Sequence, residues 1–216
     1  MQTKADREDL ADREATKFIT IKFGREYSQA TLSKHVGFDR GSQTKAASWL
    51  EKPEGFLVFL GNKGIAKTYF LAACCRHFYH TRPGGFYVSN HGKKYTLPPD
   101  ICKHTEKSFY AELKSHFDEK GDVAGYGRYM AECDIFILDE LGKAMGTEWQ
   151  CEQLFDLIDT RYSLQLPTLI ASNFNRKEIE SHYGERYGPF LCSRLFDRRN
   201  CILEDFQSPD IREVGL

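Results

Sequence analysis

The sequence predicts an α/β fold: a central, mainly parallel five-stranded sheet covered by helices on both faces in a three-layer sandwich. Three observations carry this. Short apolar runs alternate with helical segments along the chain. A loop led by glycine and ended by Lys67-Thr68 connects the first such run to a long helix. A later apolar run, Phe136-Ile137-Leu138, ends in the paired carboxylates Asp139 and Glu140.

The totals agree. With 216 residues the chain supplies one well-buried domain. A formal net charge of −1 excludes a strongly basic footprint, so any nucleic-acid contact must come from a local patch. No apolar run approaches the roughly 20 residues that cross a bilayer. The opening MQTKADREDLADRE lacks the apolar core of a secretory signal, so no membrane partner is expected. Seven cysteines, an odd number with no C-x-x-C, argue against a disulfide framework and for a reducing, cytoplasmic setting. Cys102 and His104 form an isolated C-x-H, too little for a zinc site without a second ligand pair.

Taken in order, residues 3–16 are dense in charge and lack a sustained apolar stripe. They read as an exposed or partner-bound helix rather than core. A helix is expected over 44–50, ended by Pro53. Residues 56–60 (FLVFL) are a buried strand, and 67–79 a helix apolar on most faces, as buried helices are. Residues 86–89, introduced by Pro83-Gly84-Gly85, are the second strand candidate. Phe109, Tyr110, Leu113 and Phe117 suit an amphipathic helix over 108–117, and residues 134–139 (DIFILD) give the strongest strand signal. Cys151, Leu154, Phe155, Ile158 and Tyr162 recur at helical spacing before Pro167; strands follow at 168–172 and 200–206.

The segment Gly61-Asn62-Lys63-Gly64-Ile65-Ala66-Lys67-Thr68 lies between strand and helix, the context of a Walker A loop. There, successive backbone N–H groups curl around phosphates and the helix N-terminus adds its positive dipole end. Lys67 would reach the β- and γ-phosphates of ATP or ADP, and the Thr68 hydroxyl would ligate Mg²⁺, with Tyr69 next in line. Ala66 stands where the pattern has its second glycine. Its methyl group costs on the order of 1 kcal/mol if the backbone there needs a positive φ. Asp139 and Glu140 form the Walker B arrangement: Asp139 would hold Mg²⁺ and Glu140 would act as general base toward water. Together the two motifs predict an ATPase, converting ATP and water to ADP and phosphate.

With both motifs placed, the chain resembles the DnaC/DnaI/IstB group of AAA+ ATPases, which comprises bacterial and phage helicase loaders and transposition helpers. The resemblance covers about residues 30–212. Its most specific stretches are LDELGK from Leu138, LIDTRY from Leu157 and LPTLIASNF from Leu166. It implies an AAA+ ATPase domain at 30–216, preceded by a charged segment at 1–29; in place of the family's larger helicase-binding domain, either a short helix there docks the partner or the partner differs. It places Asn173 at the sensor 1 position, orienting water; the alternative for Asn173 is an Asx turn or a helix N-cap, shared with Asn175. Ser193-Arg194-Leu195 resembles the segment bearing the arginine finger that acts on a neighbouring subunit's ATP, with Arg198 and Arg199 as competitors. Ser208-Pro209-Asp210-Ile211-Arg212 resembles the terminal G-x-D-[YW]-R element, without its glycine and aromatic residue; it implies that Arg212 acts in cis near the γ-phosphate. Arg161 is assigned a structural role.

The resemblance also implies an extra helical element between the second strand and Walker B that lines a single-stranded DNA channel. The corresponding stretch, about 93–130, carries Lys93, Lys94, Tyr95, Lys107, Phe109, Tyr110, Lys114, Lys120, Tyr126, Arg128 and Tyr129. Basic and aromatic residues together can track phosphates and stack bases, although the spacing of Phe109, Tyr110 and Phe117 also suits packing on the sheet. The implied function is that of a loader placing a hexameric replicative helicase on single-stranded DNA in replication initiation, with self-association through AAA+ interfaces. The alternatives are an IstB-like transposition helper and a nucleotide-binding adaptor with little turnover.

Overall fold

The computed structural model describes residues 4–33, 39–82, 86–88, 94–96, 98–118, 123–208 and 210. In chain order the elements are α1 (Lys4–Lys22), a 3-10 turn (Arg25–Tyr27), α2 (Arg40–Glu51), β1 (Phe56–Gly61), α3 (Lys67–Thr81), β2 (Phe86–Val88), β3 (Lys94–Thr96), β4 (Ile101–Thr105), α4 (Glu106–Asp118), α5 (Val123–Glu132), β5 (Ile135–Leu141), α6 (Glu148–Ser163), β6 (Thr168–Ser172), α7 (Arg176–His182), α8 (Gly184–Leu195) and β7 (Cys201–Asp205). None of the described helices is long and apolar enough to cross a membrane. The chain divides into two compact units: Met1–His35 with Thr68–Ile101, and Val36–Lys67 with Cys102–Leu216.

The larger unit is built on a five-stranded, all-parallel sheet in the order β4-β5-β6-β1-β7. Every residue of β1 and β6 is buried, which is why both read as unbroken apolar runs rather than alternating ones. Phe56, Phe136, Leu138 and Ile170 of the sheet join Leu154 of α6 and Leu191 of α8 in one core cluster. Side-chain caps fix where helices begin. Asp39 accepts from the Ser42 N–H at 2.9 Å to start α2. Capping boxes open α6 (Thr147 with Gln150) and α7 (Asn175 with Glu178).

Arg161, fully buried, is the polar anchor of this unit. Its Nη1 donates to the carbonyls of Ala131 (3.0 Å) and Cys133 (2.9 Å), and its Nη2 to that of Pro167 (2.8 Å). Its Nε donates to the Thr168 hydroxyl at 2.8 Å. One guanidinium thus ties the entrance of β5 to the entrance of β6, and its planar fork suits several fixed acceptors at once. Its structural assignment from sequence is correct.

In the smaller unit Arg76 of α3 does similar work. Its Nε donates to the Ala30 carbonyl at 2.9 Å, its Nη2 to the Thr16 hydroxyl at 3.1 Å, and its Nη1 pairs with Asp12. The reading of residues 3–16 as an exposed or partner-bound segment without core residues needs correction at its end. The helix continues to Lys22, and from Ala15 onward it carries a buried stripe (Ala15, Ile19), with Phe18 against Tyr79 at 5.8 Å between ring centroids. The stripe begins where the charge-dense part stops, so a window ending at Thr16 misses it.

The second strand of the sheet is also corrected. It is β4, not the candidate at 86–89. The three residues of β2 pair antiparallel with β3 in a separate two-stranded sheet. β4 reads ICKHT, and its Lys103 and His104 are buried although polar, so no apolar run marks it. The isolated Cys102-x-His104 pair is part of this strand.

Replacing Arg161 by Met keeps much of the volume but strands several buried acceptors. Urea unfolding of Arg161→Met is expected to show a loss of roughly 3 kcal/mol, with Arg161→Lys recovering little of it. A loss below about 0.5 kcal/mol would remove the anchor role.

Candidate functional site

The parallel register sets the site. Leu60 of β1 is level with Ser172 of β6, Gly61 with Asp205 of β7, and Leu141 of β5 with Ser172. The carboxyl ends of four strands therefore share one edge, where ligands of open parallel sheets bind.

From β1 the chain turns into the loop 61–67. Gly61 has φ 153°, and a Cβ there would lie 2.0 Å from the Asp205 carbonyl oxygen, so only glycine fits. Asn62 donates its N–H to the Asp205 carbonyl (3.2 Å) and its Nδ2 to that of Phe206 (2.9 Å), tying the loop to the end of β7. Lys63 is exposed, Ile65 is fully buried, and Gly64 has φ 79°. Ala66 stands at φ 65°, the left-handed region that the missing glycine would favour. The Asp210 carboxyl lies so close over Gly64 that a Cβ there would be 1.9 Å from its carbon.

Lys67 closes the loop. It is buried, and its Nζ donates to the carbonyls of Gly61 (2.7 Å) and Asn62 (2.6 Å). Burial pulls its pKa down to about 8, against the attraction of Asp139; Lys143 repels it and Asp205 attracts it more weakly. A dehydrated, loosely protonated ammonium at the mouth of a glycine loop is matched to a phosphate group, so these residues fit the nucleotide that the sequence implies. Thr68 and Tyr69 belong to the smaller unit, where the Tyr69 hydroxyl accepts from the Thr31 N–H at 3.2 Å.

At the end of β5, Asp139 is buried and accepts from the Glu140 N–H at 2.8 Å. Glu140 has φ 61°, and the β5–β6 ladder breaks between Leu138 and Leu141. This bulge turns the Glu140 side chain out of the sheet's alternation to a half-exposed position, where Lys143 pairs with it. The Lys143 N–H donates to the Glu140 carbonyl at 3.1 Å and closes the turn.

Asn173 follows β6 on the same edge. Asn175, not Asn173, caps α7 and accepts from the Glu178 N–H at 3.0 Å, which removes the N-cap among the roles weighed for Asn173. Arg194, in the last turn of α8, is held within the chain. Its Nε donates to Asp159 at 2.8 Å, and its guanidinium lies 5.0 Å from the centroid of the Tyr162 ring, which Arg199 also approaches at 4.9 Å. Arg212 lies outside the described residues, as do Lys93 and Lys120, and nothing is described of the side chains of Lys94, Tyr95 and Phe117.

Of the stretch expected to meet DNA, Phe109 and Tyr110 are core residues, buried in the main cluster and removed from any stacking role. Lys114 stands 5.5 Å over the Trp149 ring, and Tyr126 stacks on His116 at 3.9 Å. Lys107, Arg128 and Tyr129 are exposed. Sequence reading passed over Lys143, Asp205 and Glu106, all of which the fold brings to the edge. The stretch LDELGK contains Lys143, and an i, i+3 spacing from Glu140 was the available signal.

Several solved structures have a similar fold. The DnaC helicase loader superposes with a TM-score of 0.63 at 22% identity, over 83% of this chain and 98% of that one. DnaI gives 0.62 at 22% identity, over 83% and 93%. The shared fold is an α/β fold built on a five-stranded, all-parallel sheet. AMPPCP-bound DnaA from Aquifex aeolicus gives 0.64 at 17% identity, over 85% of this chain and 52% of that one. The chain thus spans about half the length of the DnaA chains it matches. No family model and no curated protein matches the sequence.

Two outcomes follow from the loop 61–67. Ala66→Gly removes the left-handed strain and is expected to raise unfolding stability by about 0.5–1 kcal/mol, the gain being trimmed by the freer unfolded chain. A loss of stability on denaturant titration would show that the methyl group packs favourably. The second outcome is set by Lys67. From about 8 up to the ordinary lysine range the unfolded chain holds a proton that the folded chain has released, so this group favours folding increasingly as pH rises. Anion binding has the opposite sign, because it requires the ammonium. Triphosphate affinity is expected to fall as pH rises through about 8, with proton uptake on binding. Calorimetry in two buffers of different ionisation enthalpy reads that uptake, and its absence would place the charge elsewhere.

Proposed function

We propose that this chain is an ATP-dependent helicase loader in replication initiation, which binds and hydrolyses ATP and places a hexameric replicative helicase on single-stranded DNA. One observation carries the reading. The loop with buried Lys67, the Asp139–Glu140 pair and an Asn173 released from capping converge on one edge of a parallel sheet. The loader assignment, over other uses of the same edge, is supported by fold likeness to DnaC and DnaI across nearly their whole solved length.

The residues take distinct roles. Backbone N–H groups from Asn62 to Ala66 line the phosphates, and Lys67 leaves the Gly61 and Asn62 carbonyls to meet the β- and γ-oxygens. Thr68 and Asp139 are the residues that would hold Mg²⁺, whose charge would offset that of the phosphate oxygens. Glu140 takes the proton of the attacking water, which requires it to part from Lys143. Asn173 orients that water. Arg194 exchanges Asp159 for the phosphates of a neighbouring protomer, and Arg212 approaches the γ-phosphate in cis.

The test uses the full chain and two variants. Glu140→Gln is expected to keep ATP affinity while turnover falls by roughly 100-fold or more, and Lys67→Ala to lose nucleotide binding. Tagged Glu140→Gln with ATP·Mg²⁺, incubated in host lysate, should retain the hexameric replicative helicase, identified by mass spectrometry; Lys67→Ala should not. Retention of a transposase instead, or of neither, overturns the loader assignment and leaves the ATPase reading to stand on the turnover data.

A further inference from the structure

Glu106 is a fully buried carboxylate placed at the start of α4, directly after β4. Burying such a group is unfavourable unless its oxygens are saturated with donors. Here they are. One oxygen, Oε2, accepts from the Gly142 N–H at 2.8 Å and the Ala144 N–H at 2.9 Å. The other, Oε1, accepts from the Tyr183 hydroxyl at 2.7 Å and the Tyr110 hydroxyl at 3.2 Å. The two clasped amides bracket Lys143, the residue paired with Glu140.

The rest of that turn is equally fixed. The Ser172 hydroxyl donates to the Leu141 carbonyl at 2.7 Å, and the Phe174 N–H donates to the Ser172 oxygen at 3.0 Å. The Phe174 ring covers Gly142 so closely that a Cβ there would lie 2.5 Å from it. Glu140 itself holds a left-handed conformation at a break in the ladder, a state that persists only where its surroundings impose it.

We propose that Glu106 is a positioning residue for ATP hydrolysis: by clasping the Gly142 and Ala144 amides it fixes the turn that aims Glu140 and Lys143. The proposal rests on the reading of Glu140 as the general base. Glu106 itself is fully buried, and its four bonds all go to protein groups. Its carboxylate acts through the backbone, so the geometry of the base depends on a residue remote in sequence. A misplaced base costs turnover and leaves substrate binding largely intact.

The experiment compares Glu106→Ala and Glu106→Gln with the parent chain by steady-state ATP hydrolysis and by hydrogen–deuterium exchange. Glu106→Ala is expected to lower kcat about 10-fold or more with KM for ATP within about 2-fold. Glu106→Gln can keep its oxygen on the two amides and offer its NH₂ to the tyrosine hydroxyls, which also accept, and so should recover most of kcat. If Glu106→Ala does not fold, the Tyr110→Phe/Tyr183→Phe double variant keeps the rings and removes two donors; kcat should then fall about 3-fold at constant KM. A folded variant with unchanged kcat overturns the proposal, as does a loss confined to KM. If the parent chain hydrolyses no ATP, the base assignment fails, and exchange decides the rest. Faster exchange limited to residues 140–146 in Glu106→Ala upholds the clasp, and unchanged exchange there overturns it.

Discussion

A strand hydrogen-bonded on both sides and buried on both faces tolerates no slip in register, because one residue of slip turns every side chain to the opposite face. β1 is such a strand, held between β6 and β7 with all its residues buried. Fixing it fixes where Gly61 leaves the sheet, and that sets the loop. The same ladder carries the constraint across to β5 through β6, so Asp139 and Lys67 come into electrostatic contact without touching the same element. Arg161 secures this arrangement from the opposite end, joining the amino ends of β5 and β6 through their carbonyls. The sheet is pinned at one edge by a charge that stays within the protein and left open at the other for a ligand.

The charge at the open edge is arranged differently. Lys67 is partly dehydrated and weakly protonated for a lysine, and the nearest carboxylates only moderate that. Its two hydrogen bonds go to loop carbonyls, which an incoming anion can replace without breaking an ion pair. Asp205 contributes to the same field. Burial would raise its pKa, yet hydrogen bonds from Ser208 and the Gln207 N–H outweigh that and lower it. The carboxylate therefore stays charged beneath the loop, and the segment after β7 is folded back by the same bonds.

How much of this was legible depends on whether a residue's role is local. β1, β5 and β6 could be read because their side chains alone announce burial, and the loop and the acid pair because their chemistry demands fixed spacing. β4 could not: Lys103 and His104 interrupt its apolar run, and their burial is a tertiary fact. Which of Asn173 and Asn175 caps α7 was undecidable from two asparagines before a helix, since either can cap. Phe109 and Tyr110 have the composition of a stacking surface and the spacing of a core, and the core prevailed because α4 lies against β5. Glu106 was hidden most completely. An acid at a helix start reads as a solvated partner of the helix dipole, and nothing nearby in sequence reveals that its acceptors serve Gly142, Ala144 and Tyr183.

Backbone strain connects these observations. Among the described residues, three non-glycines have positive φ: Ala66, Glu140 and Gln165. The first two flank the proposed chemistry, one in the phosphate loop and one at the base. Such conformations cost on the order of 1–3 kcal/mol each and need neighbours that leave no alternative. At Glu140 those neighbours are visible: Ser172 holds the Leu141 carbonyl, Glu106 holds the next amides, and Phe174 covers Gly142. At Ala66 the restraint is the burial of Ile65 and Lys67 on either side. Relaxing either residue would require dismantling buried contacts, which is more costly than the strain. The left-handed Glu140 is therefore held at the sheet edge by the buried contacts around it.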